Sequence, residues 1–371
     1  MASKISETHQ TSPVSVYFIT HVMQVGIGFL SFQQILTKYA QQDAWIALLI
    51  CGLSALGIMW IILRLLENEA SYGTADIFSI HHRLFGRWIG GLLNYLVLFH
   101  VLIFAVVFLR SYIEILQVWV FPHLSIVCFS VIFCLIVWYV VIGGMRSITG
   151  VCLLSFIYLL PLFLSSIFIA LQAHFESILP LFDHSPQSIL YSSFQAVHNF
   201  LGFELIIYYY PFIKKPKEAR KWAYFGMLTT LQLYFTLLIL GILYFSNGAL
   251  QNTIWPTITF WKSVHFPLLE HIDTICIIIL LWNLIPNISL CSWSIARGIK
   301  ATFPAIKMKH SLIGILIVII VFCVFIKDGL EVKQINDLYN FYGFFLIYLY
   351  FPFLLAAQWI KKKWGKNWHE A

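Results

Sequence analysis

The residues of this chain that could bind a solute lie inside long apolar segments. The first segment contains Gly26 and Gly28, and a later one contains the stretch 198–204 with a histidine, an asparagine, a glycine and a glutamate. Each glycine weakens a helix by about 1 kcal/mol relative to alanine, and an interrupted helix in lipid frees backbone groups that need partners. Half-helix amino ends attract anions, and freed carbonyls attract cations or ammonium groups. An amino acid carries both charges, so the pattern favours a site for such a solute.

Three further polar side chains lie at membrane depth. His100 is in the middle of the third apolar segment, where its imidazole either donates to a ligand carboxylate or bonds a backbone carbonyl. Asn283 and Asn287 are four residues apart and share a helix face beside Pro286, which frees the carbonyl of Trp282. We assign Asn287 to a pocket and Asn283 to helix–helix contact.

Charged residues inside the apolar segments have competing interpretations. Glu204 costs about 2.5–3.5 kcal/mol at a bilayer centre, so it must have a partner. It either ties an unwound segment or contacts a cation, or it is a buried carboxyl that a neighbour satisfies. We predict that His21 and His198 fill local hydrogen bonds beside the two interruptions, and that Arg110 and Glu114 pair with each other.

The segments that must position these residues are membrane spans. Of 371 residues, 60% are hydrophobic and 11% are charged, against about 45–50% and about 25% in soluble domains. A bilayer core needs about 20 apolar residues per helix. This rule predicts an all-α polytopic protein with ten spans, near 14–36, 44–66, 89–112, 122–142, 148–172, 189–212, 222–246, 270–296, 311–327 and 338–360. The amphipathic segment 71–88 is expected to lie along the membrane interface. Glu270 and Asp273 suit the first turn of the eighth span.

The distribution of positive charge predicts the orientation. With ten spans, eighteen of the 23 Lys and Arg residues fall on the side that carries both termini. The positive-inside rule then places both termini in the cytoplasm. Short basic clusters between apolar runs are orientation signals, so the net charge of +7 does not indicate nucleic-acid binding.

The sequence offers no enzymatic or metal-binding pattern. All seven cysteines fall in apolar runs without a CxxC or Cys/His spacing, and we expect neither disulfides nor a cofactor. The spans contain no Ser-His or paired-aspartate arrangement, and no HExxH motif is present. We therefore expect a protein that is not an enzyme and has no catalytic residues and no metal site.

The two interruptions occupy matching positions in the two halves of the chain. Glycine also serves close helix packing, but paired breaks near the start of each half are typical of transporters built from inverted repeats. We predict one transmembrane domain over residues 1–371, with five-helix repeats over 14–172 and 189–360, and with spans one and six broken as in LeuT-like folds.

Three elements of the sequence resemble the endospore germination permeases, the B subunits of GerA-type nutrient germinant receptors. The elements are Phe200-Leu201-Gly202-Phe203-Glu204, Ile254-Trp255-Pro256-Thr257 and the Glu270–Asp273 start of span eight. The resemblance covers essentially the whole chain. It implies the amino acid–polyamine–cation transporter fold, a place in the spore inner membrane, a nutrient ligand, and A and C subunits as partners.

The resemblance also implies a ligand pocket formed by spans one, three, six and eight. The ligand-binding residues predicted from the resemblance and the breaks are Gly26, Gly28, His100, Asn199, Leu201, Gly202, Glu204 and Asn287. The chain departs from the family pattern at Gln33-Gln34, where many relatives carry proline, at His100, where an aromatic hydroxyl is expected, and at Pro286-Asn287, where small hydroxyl residues are common. An L-alanine ligand therefore cannot be carried over.

Two functions follow as alternatives. The first is a nutrient-sensing subunit on a transporter scaffold, and the second is a secondary transporter of amino acids or cationic solutes. Span five, residues 148–172, contains no Lys or Arg, whereas many proton-coupled relatives of this fold place a lysine there. The absence of a coupling residue favours sensing.

Overall fold

The protein is helical throughout the part that the structure, a computed structural model, describes, namely residues 6–245, 247–263 and 272–367. Within these ranges, the β structure is limited to an isolated parallel bridge between Thr11 and Ile213. The α-helices, in chain order, are α1 (Ser15–Gln24), α2 (Phe32–Ala40), α3 (Ala44–Ala70), α4 (Ile77–Trp119), α5 (Ile126–Ile142), α6 (Gly144–Leu164), α7 (Ser166–Ala170), α8 (Pro186–Gln195), α9 (Ile206–Tyr209), α10 (Pro216–Tyr244), α11 (Asn247–Asn252), α12 (Pro256–Ser263), α13 (Ile272–Thr302), α14 (Met308–Phe325), α15 (Gly329–Phe345) and α16 (Phe351–Asn367).

These helices confirm the predicted multi-pass architecture. Within the described ranges, seven helical segments are long and apolar enough to cross a bilayer, and α5 is a shorter apolar helix. The predicted first and sixth spans are the broken ones. Span one consists of α1 and α2, and span six consists of α8, two 3₁₀ turns and α9. The boundaries of the two five-helix repeats stay a prediction.

The predicted amphipathic segment 71–88 contains a bend rather than a separate element. Asp76 caps α4 by accepting from the Ser79 N–H at 2.9 Å, and Gly86 then interrupts the helix with a φ of 76°. The part before Gly86 carries the amphipathic residues, and the part after it crosses the bundle as span three.

Loop contacts divide the bundle into two sides. On the N-terminal side, Thr11 donates its N–H to Phe212 O at 2.8 Å and accepts from Lys214 N–H at 3.0 Å. On the opposite side, the Asp43 carboxylate accepts from the N–H groups of Phe182 and His184 at 2.7 and 3.0 Å. The loops that share a side are those expected from ten alternating spans.

A single helix lies at the centre of the bundle. The side chains of α13 are buried over most of its length, and it packs against α4, α6 and α14. The first half of span one, α1, packs between α10 and α6. Glu270, predicted to stand at the start of span eight, lies outside the described residues, whereas Asp273 is in the first turn of α13 as predicted.

Candidate functional site

The break in span one leaves backbone carbonyls to be satisfied by other spans. Helix α1 ends at Gln24, and Gly26 is extended with φ −104° and ψ −157°. The Gln24 carbonyl accepts from the Tyr234 hydroxyl at 2.8 Å, and the Val25 carbonyl accepts from the Asn283 side-chain amide. Hydrogen-bond donors on α10 and α13 therefore occupy two of the carbonyls at the break, those of Gln24 and Val25.

The Trp-Pro-Thr element contacts the far end of the same break. The Thr257 hydroxyl donates to Phe29 O at 3.1 Å, and the Gln33 side-chain amide donates to Thr257 Oγ1 at 2.8 Å. Gln33, one of the residues that departs from the family pattern, thus joins α2 to α12.

The break in span six is held by its own glutamate. Gly202 adopts a φ of 113°, a conformation that glycine accepts without steric cost. The Glu204 carboxylate accepts from the Gly202 N–H at 2.6 Å. A Cβ added to Gly202 would lie 2.3 Å from Met23 O, so this glycine permits direct backbone contact between spans six and one.

The same glutamate connects span six to span three. Glu204 Oε1 lies 3.3 Å from His100 Nε2, and both side chains are buried. The His100 ring stacks on Tyr339, with centroids 5.2 Å apart. This arrangement favours the interpretation of Glu204 as an acid that ties the unwound segment, and it gives the His100 imidazole a protein partner.

The two asparagines of α13 differ in what they bond: Asn283 joins helices, whereas Asn287 bonds within its own helix. Asn283 accepts from the Ser155 hydroxyl at 2.9 Å and donates to Val25 O, so it joins α13 to α6 and span one. Asn287 donates to the Asn283 carbonyl at 2.6 Å. That carbonyl is four residues back in the same helix.

A cavity of about 430 Å³ extends from the two breaks toward the side of the bundle opposite the N-terminus. Of the predicted ligand-binding residues, Gly26, Gly28 and Asn199 line it. The remaining predicted residues are buried in the packing beside the cavity and are not part of its lining; they are His100, Leu201, Gly202, Glu204 and Asn287.

Span ten supplies a cavity wall that the sequence analysis missed. Lys333, Asn336, Asp337, Tyr339 and Asn340 line the cavity from α15. The predicted span began at 338, so the polar residues just before it were placed in a loop. Their spacing could have indicated this helix: positions 333, 336, 337 and 340 are three or four residues apart and share one helix face.

Arg297 joins three spans on the N-terminal side of the bundle. The Arg297 guanidinium of α13 lies 2.5 Å from the Asp76 carboxylate and also donates to Tyr208 O. Its charged group packs 4.9 Å from the centre of the Phe212 ring. We call the contacts of Arg297 with Asp76, Tyr208 and Phe212 the inner lock, because they join spans three, six and eight below the cavity.

One predicted ion pair is present on the opposite side. Arg110 Nη1 lies 3.0 Å from Glu114 Oε2, which confirms the predicted pair. The same guanidinium donates to the carbonyls of Ile326 and Lys327 at 2.8 and 3.0 Å. Arg110 therefore also fixes the connection between α14 and α15.

Comparisons with known proteins agree on family and fold. Residues 10–332 match the family described as "Spore germination protein". Spore germination protein GerQB of Bacillus cereus is 33% identical, over 96% of this chain and 97% of that protein. Spore germination protein A2 of Bacillus subtilis strain 168 is 23% identical, over 90% of this chain and 92% of that protein.

Two solved transporters share the fold. Mhp1, a nucleobase-cation-symport-1 family transporter in a closed conformation with bromovinylhydantoin bound, superposes with a TM-score of 0.59 at 13% identity, over 89% of this chain and 75% of its own. A Na⁺-coupled sialic acid symporter in a substrate-bound, outward-open state gives a TM-score of 0.59 at 12% identity, over 92% of this chain and 80% of its own. These matches confirm the LeuT-like fold.

Proposed function

This chain belongs to the spore germination protein family, and on that premise we propose that it is the nutrient-binding, transporter-like subunit of a spore germinant receptor. The observation that carries the proposal is the cavity of about 430 Å³ that reaches both helix breaks. Pockets for small molecules measure about 300–1,000 Å³, so the cavity has room for one small nutrient. An amino acid is the ligand class that the two broken helices favour.

The proposed mechanism is a change in the relative populations of two helix arrangements. A ligand in the cavity touches span one at Gly26 and Gly28 and span six at Asn199, so it binds both halves at once. A ligand shifts such an equilibrium only by its difference in affinity for the two arrangements. The germinant-receptor A and C subunits then respond to the favoured arrangement, and no chemical conversion of the nutrient is required.

The location follows from the same premise. The protein is a multi-pass membrane protein, and we place it in the spore inner membrane with both termini cytoplasmic. In that orientation the inner lock faces the cytoplasm, and the cavity opens away from it.

Secondary transport of amino acids or cationic solutes is the second candidate, because the two solved structures described above are transporters. The carbonyls of Gln24 and Val25, which accept from protein donors, support sensing over transport coupled to a cation at this break.

Germination of spores that lack only this chain tests the proposal. Such spores are exposed separately to amino acids, nucleosides and sugars, and selective loss of the response to one nutrient class is expected. Normal germination toward every nutrient, together with reduced uptake of a labelled solute by growing cells, would make transport the better explanation.

A matched pair of glycine substitutions tests the position of the pocket. Gly26→Leu fills the cavity beside Phe108, whereas Gly314→Leu adds the same side chain at an exposed position of α14 with open space around it. Restoring the deletion with Gly314→Leu should recover the response, and Gly26→Leu should not, at equal amounts of inserted protein. A full response from Gly26→Leu would exclude the cavity as the nutrient site.

A further inference from the structure

Two side-chain oxygens at the deep end of the cavity lack hydrogen-bond partners. Gln24 and Asn199 line the cavity, and each side chain is 2% exposed. Neither Gln24 Oε1 nor Asn199 Oδ1 has a partner within the described part of the chain. Buried acceptors are rarely left unpaired, so this pair points to a donor that the protein itself does not supply.

The orientation of both amides is fixed by the backbone. Gln24 Nε2 donates to Phe200 O at 3.0 Å, and Asn199 Nδ2 donates to Ala196 O at 3.3 Å. Exchanging nitrogen and oxygen in either amide would set two carbonyl oxygens against each other. The free atom of each side chain is therefore the acceptor oxygen.

A third acceptor lies beside them. His198 Nδ1 is 3.2 Å from Gln195 O and must carry the proton to bond this carbonyl, which leaves a lone pair on Nε2 of the neutral ring. A methyl group placed on Gly28 would lie 2.6 Å from Asn199 Oδ1 and 3.5 Å from His198 Nε2. The bare backbone of Gly28 thus lies beside two of these acceptor atoms.

We infer that this deep end binds the primary ammonium group of the nutrient, with Gln24 Oε1, Asn199 Oδ1 and His198 Nε2 as acceptors. An ammonium group has three donors and no acceptor, which matches three acceptor atoms. A carboxylate in the same place would face these lone pairs and be repelled. The cationic side chain of the cavity, Lys333, is exposed on α15 and does not compete at this position. The inference rests on the proposed function and names the chemical group of the nutrient that the site binds.

Matched analogues test the inference on the unsubstituted protein. Glycine, L-alanine and L-valine are titrated into the full chain in lipid nanodiscs, each beside its 2-hydroxy acid and its N-acetyl derivative, with calorimetric detection. Loss of hydrogen bonds to a charged donor weakens binding by about 10- to 100-fold, so the analogues should bind that much more weakly than the amine that binds best. Equal affinity for an amine and its hydroxy acid would overturn the inference.

Substitutions locate the acceptors. Gln24→Met and Asn199→Leu remove the two oxygens at similar volume and should abolish most of the preference for the amine. The controls Gln232→Met and Asn252→Leu change exposed amides that donate within their own helices, to Thr236 and to Gly248 O. These controls should change affinity by less than about twofold. If the first pair folds poorly, the analogue comparison still decides.

The germination panel separates this inference from the proposed function. A response to sugars or other amine-free nutrients that depends on this chain would leave the receptor function standing and overturn the ammonium site. A deletion without any effect on germination would overturn the receptor function itself.

Discussion

The breaks in spans one and six carry the same sequence signal but have different structural roles. Gly26 and Gly28 in span one face the cavity. Gly202 in span six faces the backbone of Met23, and its N–H is held by Glu204. The glycines of span one therefore lie in the cavity wall, whereas in span six His198 and Asn199 line the cavity and Gly202 forms the contact that holds the two spans together.

The difference originates in backbone conformation and in the nature of the neighbours. Gly26 has a negative φ and meets a side chain, the ring of Phe108, whereas Gly202 has a φ of 113° and meets a backbone carbonyl. A side chain can rotate away from a new methyl group, but a packed backbone cannot. Substitutions in span six should therefore reduce stability, and those in span one should reduce binding.

The largest effect is expected from Gly202→Ala. Alanine at this φ costs about 1–3 kcal/mol in strain, and the collision with Met23 O adds to this cost. We expect a clear fall in the thermal unfolding midpoint in detergent, or little inserted protein. Gly314→Ala, at an exposed position with open space, is the control and should leave the midpoint unchanged. Equal midpoints for the two variants would show that span six tolerates this contact.

Glu204→Ala should be the next most severe change. It leaves the Gly202 N–H and His100 without their shared partner, which costs about 1–3 kcal/mol for each buried group. Glu204→Gln keeps an acceptor oxygen for the Gly202 N–H and should destabilise less. Thermal unfolding of both variants measures the difference. A Glu204→Ala protein as stable as the unsubstituted one would show that Glu204 does not stabilise the break in span six.

Gly28→Ala should separate binding from stability. Its methyl group would lie 2.6 Å from Asn199 Oδ1, so that side chain must shift; because the contact is with side-chain rather than backbone atoms, the free energy of unfolding should fall by less than for Gly202→Ala. The nutrient concentration for half-maximal germination should rise about tenfold or more, because loss of one hydrogen bond to a charged group has that effect. An unchanged dose–response curve would place the nutrient elsewhere.

The smallest expected effect concerns sodium. Freed carbonyls in broken helices of transporters coordinate Na⁺, but here Tyr234 and Asn283 donate to two of those in span one, at Gln24 and Val25. Replacing Na⁺ with choline in the germination medium should leave the half-maximal nutrient concentration within about twofold. A strict sodium requirement would mean that a cation displaces these donors.

The sequence was sufficient for the features that depend on local pattern. Apolar segments about 20 residues long predict the spans, and glycines beside polar residues predict both breaks. The pair Arg110–Glu114 was predictable because four residues on a helix place side chains side by side. Each of these features involves residues that are close in the chain.

The features that the sequence did not reveal depend on packing between distant segments. Asp76 and Arg297 meet across more than two hundred residues, and nothing in the neighbourhood of either residue specifies the other. The orientation of Gly202 away from the cavity depends on Met23, in another span. The role of span ten was hidden because hydropathy starts the predicted span at 338, whereas the helix begins at Gly329.

The inner lock has a consequence for how occupancy of the cavity depends on solute concentration. While the contacts of the inner lock hold, they oppose passage of a solute from the cavity to the N-terminal side of the bundle. In the proposed receptor, the occupied fraction would then depend on the solute concentration on the side to which the cavity opens. A detector of this kind would need no metabolic energy, which would suit the dormant cell that the proposed function implies.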